Sequence, residues 1–194
     1  MKNQGRGIWI AANTASIERE ILYLPPLWPW DMNKAAEEEG GDKNLAVAKA
    51  SDYFNYLLSN GAQTGGSETY GPATAQDMQV CPDLNPNSFT ANGVNPGQAG
   101  KPLTDQQVAW SVVEVGGPGG GQEDAFIVSR NVDLADSYTR IKQTGSTKIL
   151  GARIELRSIK PFGTDRGVWV TLGGGILEAR KMYLTEDRLF APFV

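Results

Sequence analysis

The chain has 194 residues and a formal net charge of −4, with 40% hydrophobic and 21% charged residues, enough for one folded domain with its own core. The acidic balance argues against a nucleic-acid partner, which would need a basic face for its phosphates. Histidine is absent, which excludes Ser-His-Asp and Cys-His catalysis and any zinc site that needs an imidazole.

Residues 1–24 read as the first helix. Ile10, Ile17, Ile21 and Leu24 recur at helical spacing, and Ile8, Ala11, Ala12, Ala15 and Leu22 widen the apolar stripe. Gly5 and Gly7 weaken the helix locally, and Pro25-Pro26 stop it near Leu24. No loop or cap stands ahead of it, so the sequence suggests the lower end of a longer rod. Leu27-Trp28-Pro29-Trp30 reads as a plug whose tryptophans enter the core. Asn33 to Glu39 is a short polar helical piece stopped at Gly40-Gly41. A second helix is expected over 42–60, N-capped by Asp42, with Leu45, Tyr53, Phe54, Leu57 and Leu58 on its apolar face and Gly61 beyond its end.

Residues 62–107 form a long irregular loop rich in Gly, Pro, Asn and Ser. It holds Cys81, the single cysteine, which reads as a passive thiol because no histidine activates it. Asp77, Asp83 and Asp105 offer calcium at most a weak site, since they lack the DxDxDG spacing of a calcium loop.

An antiparallel sheet is expected over 108–190. Val108 to Val115 and Asp124 to Arg130 pair across GGPGGGQE, a Gly-rich connection that lacks GKS/GKT or GxGxxG and so reads as a hairpin loop, not a phosphate cradle. Asn131 to Thr147 is polar, with a short helical turn expected at Leu134 to Tyr138. Lys148 to Ile159 alternates, turning Ile149, Ile154 and Leu156 inward. Gly167 to Leu172 and Ile176 to Arg180 make a hairpin around Gly173-Gly174-Gly175, and the tail from Met182 to Phe190 packs back. Helices first and antiparallel strands last is the α+β class, here as one domain, 1–194.

Taken together, GRGIWIAANTASIERE, PPLWP, DYFNYLLSNG, the W-S-V-V strand, AFIVSRNVD and the GVWVTLGGG hairpin resemble the bacterial type IV pilin-like proteins, above all the type II secretion pseudopilins. The resemblance covers most of the chain in order, through motifs that are individually weak. It implies a pilin-like fold, with the N-terminal amphipathic helix packed on the C-terminal sheet. It also implies an N-terminal transmembrane helix, absent from this sequence, that anchors the head in the periplasm or builds the core of a cell-surface filament. The implied partners are other pilin or pseudopilin subunits and the inner membrane. The family's calcium ligands find no matching positions here.

On that resemblance the stripe would meet the strands through Trp110, Val112, Phe126 and Trp169, worth on the order of 10 kcal/mol before entropy. The opposite side, with Trp9 at its border, would meet neighbouring subunits. The chain is therefore expected to be a non-catalytic structural subunit without a bound cofactor. The alternative is a free-standing extracytoplasmic module that binds a secreted substrate or glycan through 62–107. An enzyme would have to rest on carboxylates such as Glu114, Asp124 and Glu178, which read instead as solvated charges at strand ends.

Overall fold

The structure is a computed structural model that describes residues 1–58, 103–113, 121–134, 154–158, 163–185 and 189. Asp77, Cys81, Asp83, Glu114, Ile149, Phe190, most of the 62–107 loop, the 135–147 segment and the glycines at 116–120 lie outside these residues. The fold is α+β, with helices first and an antiparallel sheet last. The chain divides into two compact units, Met1–Arg6 with Ala109–Val194 and Gly7–Val108. Helix α1 (Lys2–Ile21) gives its first turn to the former and the rest to the latter.

In the helical unit, α2 (Pro29–Glu37) follows Trp28, an extended N-cap residue, and opens on Pro29, whose fixed φ suits a first helical position. The aromatic plug needs correction. Leu27, Pro29 and Met32 are buried, whereas Trp28 is half-buried and Trp30 exposed. The expected 42–60 helix is also shorter. Lys43–Leu45 is a 3₁₀ turn and α3 spans Ala50–Leu58, so Asp42 does not cap it. Asp52 does part of that work, accepting from Lys49 N at 3.0 Å as the acid of a capping box does, and Asp105 Oδ1 accepts from Ser51 N at 3.2 Å. Two asparagines then hold backbone segments as a strand neighbour would. Asn55 exchanges two hydrogen bonds with Leu103 (2.7 and 3.0 Å), and Asn33 exchanges two with Val47 (2.5 and 3.2 Å).

In the sheet unit, β1 (Trp110–Val112), β2 (Ala125–Ser129), β5 (Arg166–Thr171) and β6 (Ile176–Arg180) form an antiparallel sheet in that spatial order. The expected pairing of β1 with β2 holds, with Trp110 opposite Ser129, as does the β5–β6 hairpin around Gly173–Gly175. β3 (Val132–Asp133) and β4 (Glu155–Leu156) pair separately. β3 replaces the start of the polar stretch expected after Asn131, and Leu134 follows it outside any helix or strand. Ile154, Leu156, Leu184 and Leu189 are buried, as the alternation and the returning tail require.

Cross-strand register sorts the faces, because directly opposed residues project to the same side. Trp110, Ser129, Val168, Val170 and Glu178 share one face. Val128, Trp169 and Ala179 share the other, in a core cluster with Val132, Leu134, Ile154, Leu156 and Leu184. Gly167 is where the second layer comes closest, since a Cβ there would lie 2.8 Å from Val132 Cγ2. Asn131, 1% exposed, donates from Nδ2 to the carbonyls of Gly163 (2.9 Å) and Arg166 (2.8 Å) and so holds the entry to β5.

Candidate assembly surface on the first helix

The first turn of α1 lies on the sheet. A Cβ on Gly5 would sit 2.7 Å from Val170 Cγ2 and 2.9 Å from the Trp110 ring, so only glycine allows this approach. Lys2 Nζ reaches Glu178 Oε2 at 2.5 Å on the same face. The expected partner Trp110 is thus correct, whereas Trp169 projects to the opposite face of the sheet, into the other core cluster.

Along α1 the expected stripe splits into two opposite faces. Gly5, Ile8, Ala12, Ala15 and Ser16 are buried. Ile10, Ile17 and Ile21, the residues whose heptad-like spacing marked the stripe, are exposed on the other side, Ile21 to 71%. The correction has a simple cause. The large residues define the period, but the buried side holds one of them, Ile8, among small residues that let backbone come close. Of the expected stripe, Ile8, Ala12 and Ala15 are buried as expected, whereas Ile10, Ile17, Ile21, Leu22 and Leu24 are not.

The helix exit is tightly fixed. Leu24 N donates to Arg19 O (2.9 Å) and Tyr23 N to Glu20 O (3.0 Å), the two bonds of a Schellman cap. The left-handed position that such a cap usually gives to glycine is occupied by Tyr23, with φ 59° and 99% exposure. Arg19 Nε donates to Pro25 O (2.7 Å), Leu27 N donates to the buried Ser16 Oγ (2.9 Å), and Tyr53 OH donates to Leu27 O (3.0 Å). This clamp holds the turn in a conformation that costs an L-residue roughly 1–2 kcal/mol. Because Tyr23 itself touches little, Tyr23→Gly is expected to raise stability by about 0.5–1 kcal/mol, read as a higher urea midpoint at unchanged slope. Beside Tyr23, Leu22 and Leu24 are exposed too, so exposed apolar side chains continue past the end of the helix. Glu18 and Glu20 border its C-terminal half and Arg6 its N-terminal half, all exposed.

Of the carboxylates considered for catalysis, Asp124 and Glu178 are not brought together, and Glu114 lies outside the described residues. Glu178 is held by Lys2 and by Arg166 Nη1 (3.0 Å), hydrogen bonds that push its pKa below the usual glutamate range, the reverse of what a general acid needs. Asp124 is buried ahead of β2, where its carbonyl accepts from Leu172 N, while Glu178 lies further along the β5–β6 ladder opposite Val168. A shallow pocket of about 320 Å³ is lined by Ile154, Glu155, Asp165, Arg180, Lys181 and Met182, with Lys181 Nζ paired to Glu155 at 2.7 Å. Among the described residues no group of three potential metal ligands occurs, and Asp105 is engaged with α3.

The two shifted carboxyls give opposite pH signs. Burial raises Asp31, with Glu20 adding to it and Lys34 opposing, so the ionised form is disfavoured by folding and stability falls as pH rises from the unfolded pKa through the raised one. Asp31→Asn is therefore expected to stabilise at pH 7 and to do nothing at pH 3. Glu178 is lowered, so its contribution is complete above its unfolded pKa and is lost as pH falls through the folded one. Being half-buried between exposed Lys2 and Arg166, it is also expected to weaken in high salt. Urea unfolding of Asp31→Asn and Glu178→Gln at pH 3 and 7, with and without 1 M salt, checks these signs.

Comparison with protein-family models, curated proteins and solved structures gives no match to this chain.

Proposed function

We propose that the chain is a non-catalytic structural subunit, the head of a type IV pilin-like or type II secretion pseudopilin-like filament. The observation that carries the reading is the two-faced first helix. Its small-residue side is buried, with Gly5 set against Trp110 and Val170, and its large aliphatic side is left to solvent over several turns. A row of half- to two-thirds-exposed isoleucines along one side of a helix suits an interaction site. A helix that gives one face to its own fold and the other to neighbours suits an extended polymer, in which each copy contacts the next head-to-tail. The α+β order, with an N-terminal helix and a C-terminal antiparallel sheet, is compatible with a pilin-like fold.

The reading carries further requirements. The head would stand in the periplasm or on the cell surface of a bacterium, anchored in the inner membrane by an apolar helix of about 20 residues joined ahead of Lys2. Its partners would be other subunits of the same kind. Fractionation of cells that express the native gene tests this. The product is expected in the membrane fraction and, after shearing, in a sedimenting polymer. A product that stays in the soluble fraction as a monomer would overturn the reading.

A further inference from the structure

The exposed face of α1 is self-complementary when two helices run in opposite directions. We propose that it pairs with the same face of a second copy of this chain, antiparallel, about a two-fold axis beside Asn13 and Thr14. The helical repeat puts Ile10, Ile17 and Ile21 on one line. In an antiparallel pair centred between Asn13 and Thr14, Ile10 of one copy opposes Ile17 of the other, and Ile21 opposes the stem of Arg6. The flank then matches in charge. Arg6 and Glu20 lie to the same side of the isoleucine line, and a two-fold axis between the helices brings the Arg6 of each copy to the Glu20 of the other. All of these residues are exposed. On the exposed flank the N-terminal half carries Arg6 and the C-terminal half Glu20, the charge order an antiparallel self-pair requires, while Arg19 of the last turn is turned to Pro25 O. The contact is isologous, with two identical copies of each pair. It does not depend on the filament reading. It uses the same face, so a paired head and a polymerising head exclude one another.

Sedimentation of the full chain at about 100 µM tests the pairing. The wild type is expected to be a dimer and Ile17→Glu a monomer with unchanged circular dichroism. Arg6→Glu and Glu20→Arg should each weaken the dimer about tenfold, since two exposed charge pairs reverse at once, and the double reversal should restore it. Helices packed 8–10 Å apart bring the two copies of position 14 within disulfide reach. Thr14→Cys in a Cys81→Ser background should therefore link into a covalent dimer on mild oxidation. A wild-type monomer at that concentration, a double reversal no better than either single one, or a position 14 that does not cross-link would overturn the proposal. A head that fails here and still enters a sheared polymer would refute the pairing and leave the filament reading standing.

Discussion

Gly5→Leu is expected to destabilise the fold by about 3 kcal/mol, a large loss for a substitution that favours the helix itself. On an exposed helix, replacing Gly by a good helix former gains up to about 1 kcal/mol. At Gly5 the added Cβ would stand 2.7 Å from Val170 Cγ2 and 2.9 Å from the Trp110 ring, both held in the sheet, so helix and strands must separate. Gly5→Ala isolates the sign. Propensity alone makes it stabilising, and the close approach makes it destabilising by about 1–2 kcal/mol. Urea denaturation settles the matter. A gain in stability for Gly5→Ala would mean that the first turn of α1 does not lie on Trp110 and Val170.

The second large effect is expected at Asn131. Its amide nitrogen donates to two carbonyls, Gly163 and Arg166, in a site that is 1% exposed, while its own Oδ1 has no partner among the described residues. The amide cannot be turned over, because Oδ1 would then face two carbonyl oxygens. Asn131→Asp puts a carboxylate there, with no donor and a buried charge, and is expected to cost about 3–4 kcal/mol at pH 7. Burial facing two carbonyl oxygens raises the pKa of that carboxyl, so as pH falls from 7 toward the unfolded value of about 4 it protonates and can donate to one carbonyl, and the loss should shrink over that window. Asn131→Ala leaves both carbonyls unpaired with no charge and should lose less, with no such dependence on pH. Equal losses for the two variants at pH 7 would contradict this account of the site.

The parts of the fold that sequence exposes are those written in repeated local pattern. The β5–β6 hairpin was legible because alternating residues flank three glycines, and the β1–β2 pair because two β-rich runs flank a flexible connection. The period of α1 was equally plain, but its direction was not. Ile10, Ile17 and Ile21 announce an apolar stripe, yet hydrophobicity alone cannot distinguish a face buried in its own fold from one left for a partner. Gly5, Ala12, Ala15 and Ser16 carried that information as small size. Ser16 looked like an ordinary polar residue, although Leu27 N depends on it.

The asparagine clamps were hidden for a different reason. Asn33, Asn55 and Asn131 carry no local signal of their roles, which depend on segments many residues away. The same distance effect displaced the start of α3, because part of its cap comes from Asp105 rather than from Asp42. Tyr23 broke a local rule, with an aromatic residue where a Schellman cap favours glycine, and only the surrounding hydrogen bonds show what holds it there.

Photo-cross-linking in cells tests most directly whether neighbours sit on the outer face of α1. A photoreactive residue is placed at Ile17 on that face, or at Ala12 on the buried one, in the native full-length protein. Ile17 is expected to yield a ladder of cross-linked subunits that extends beyond the dimer, and Ala12 none. A single monomer band from Ile17, or the same ladder from both positions, would contradict the account.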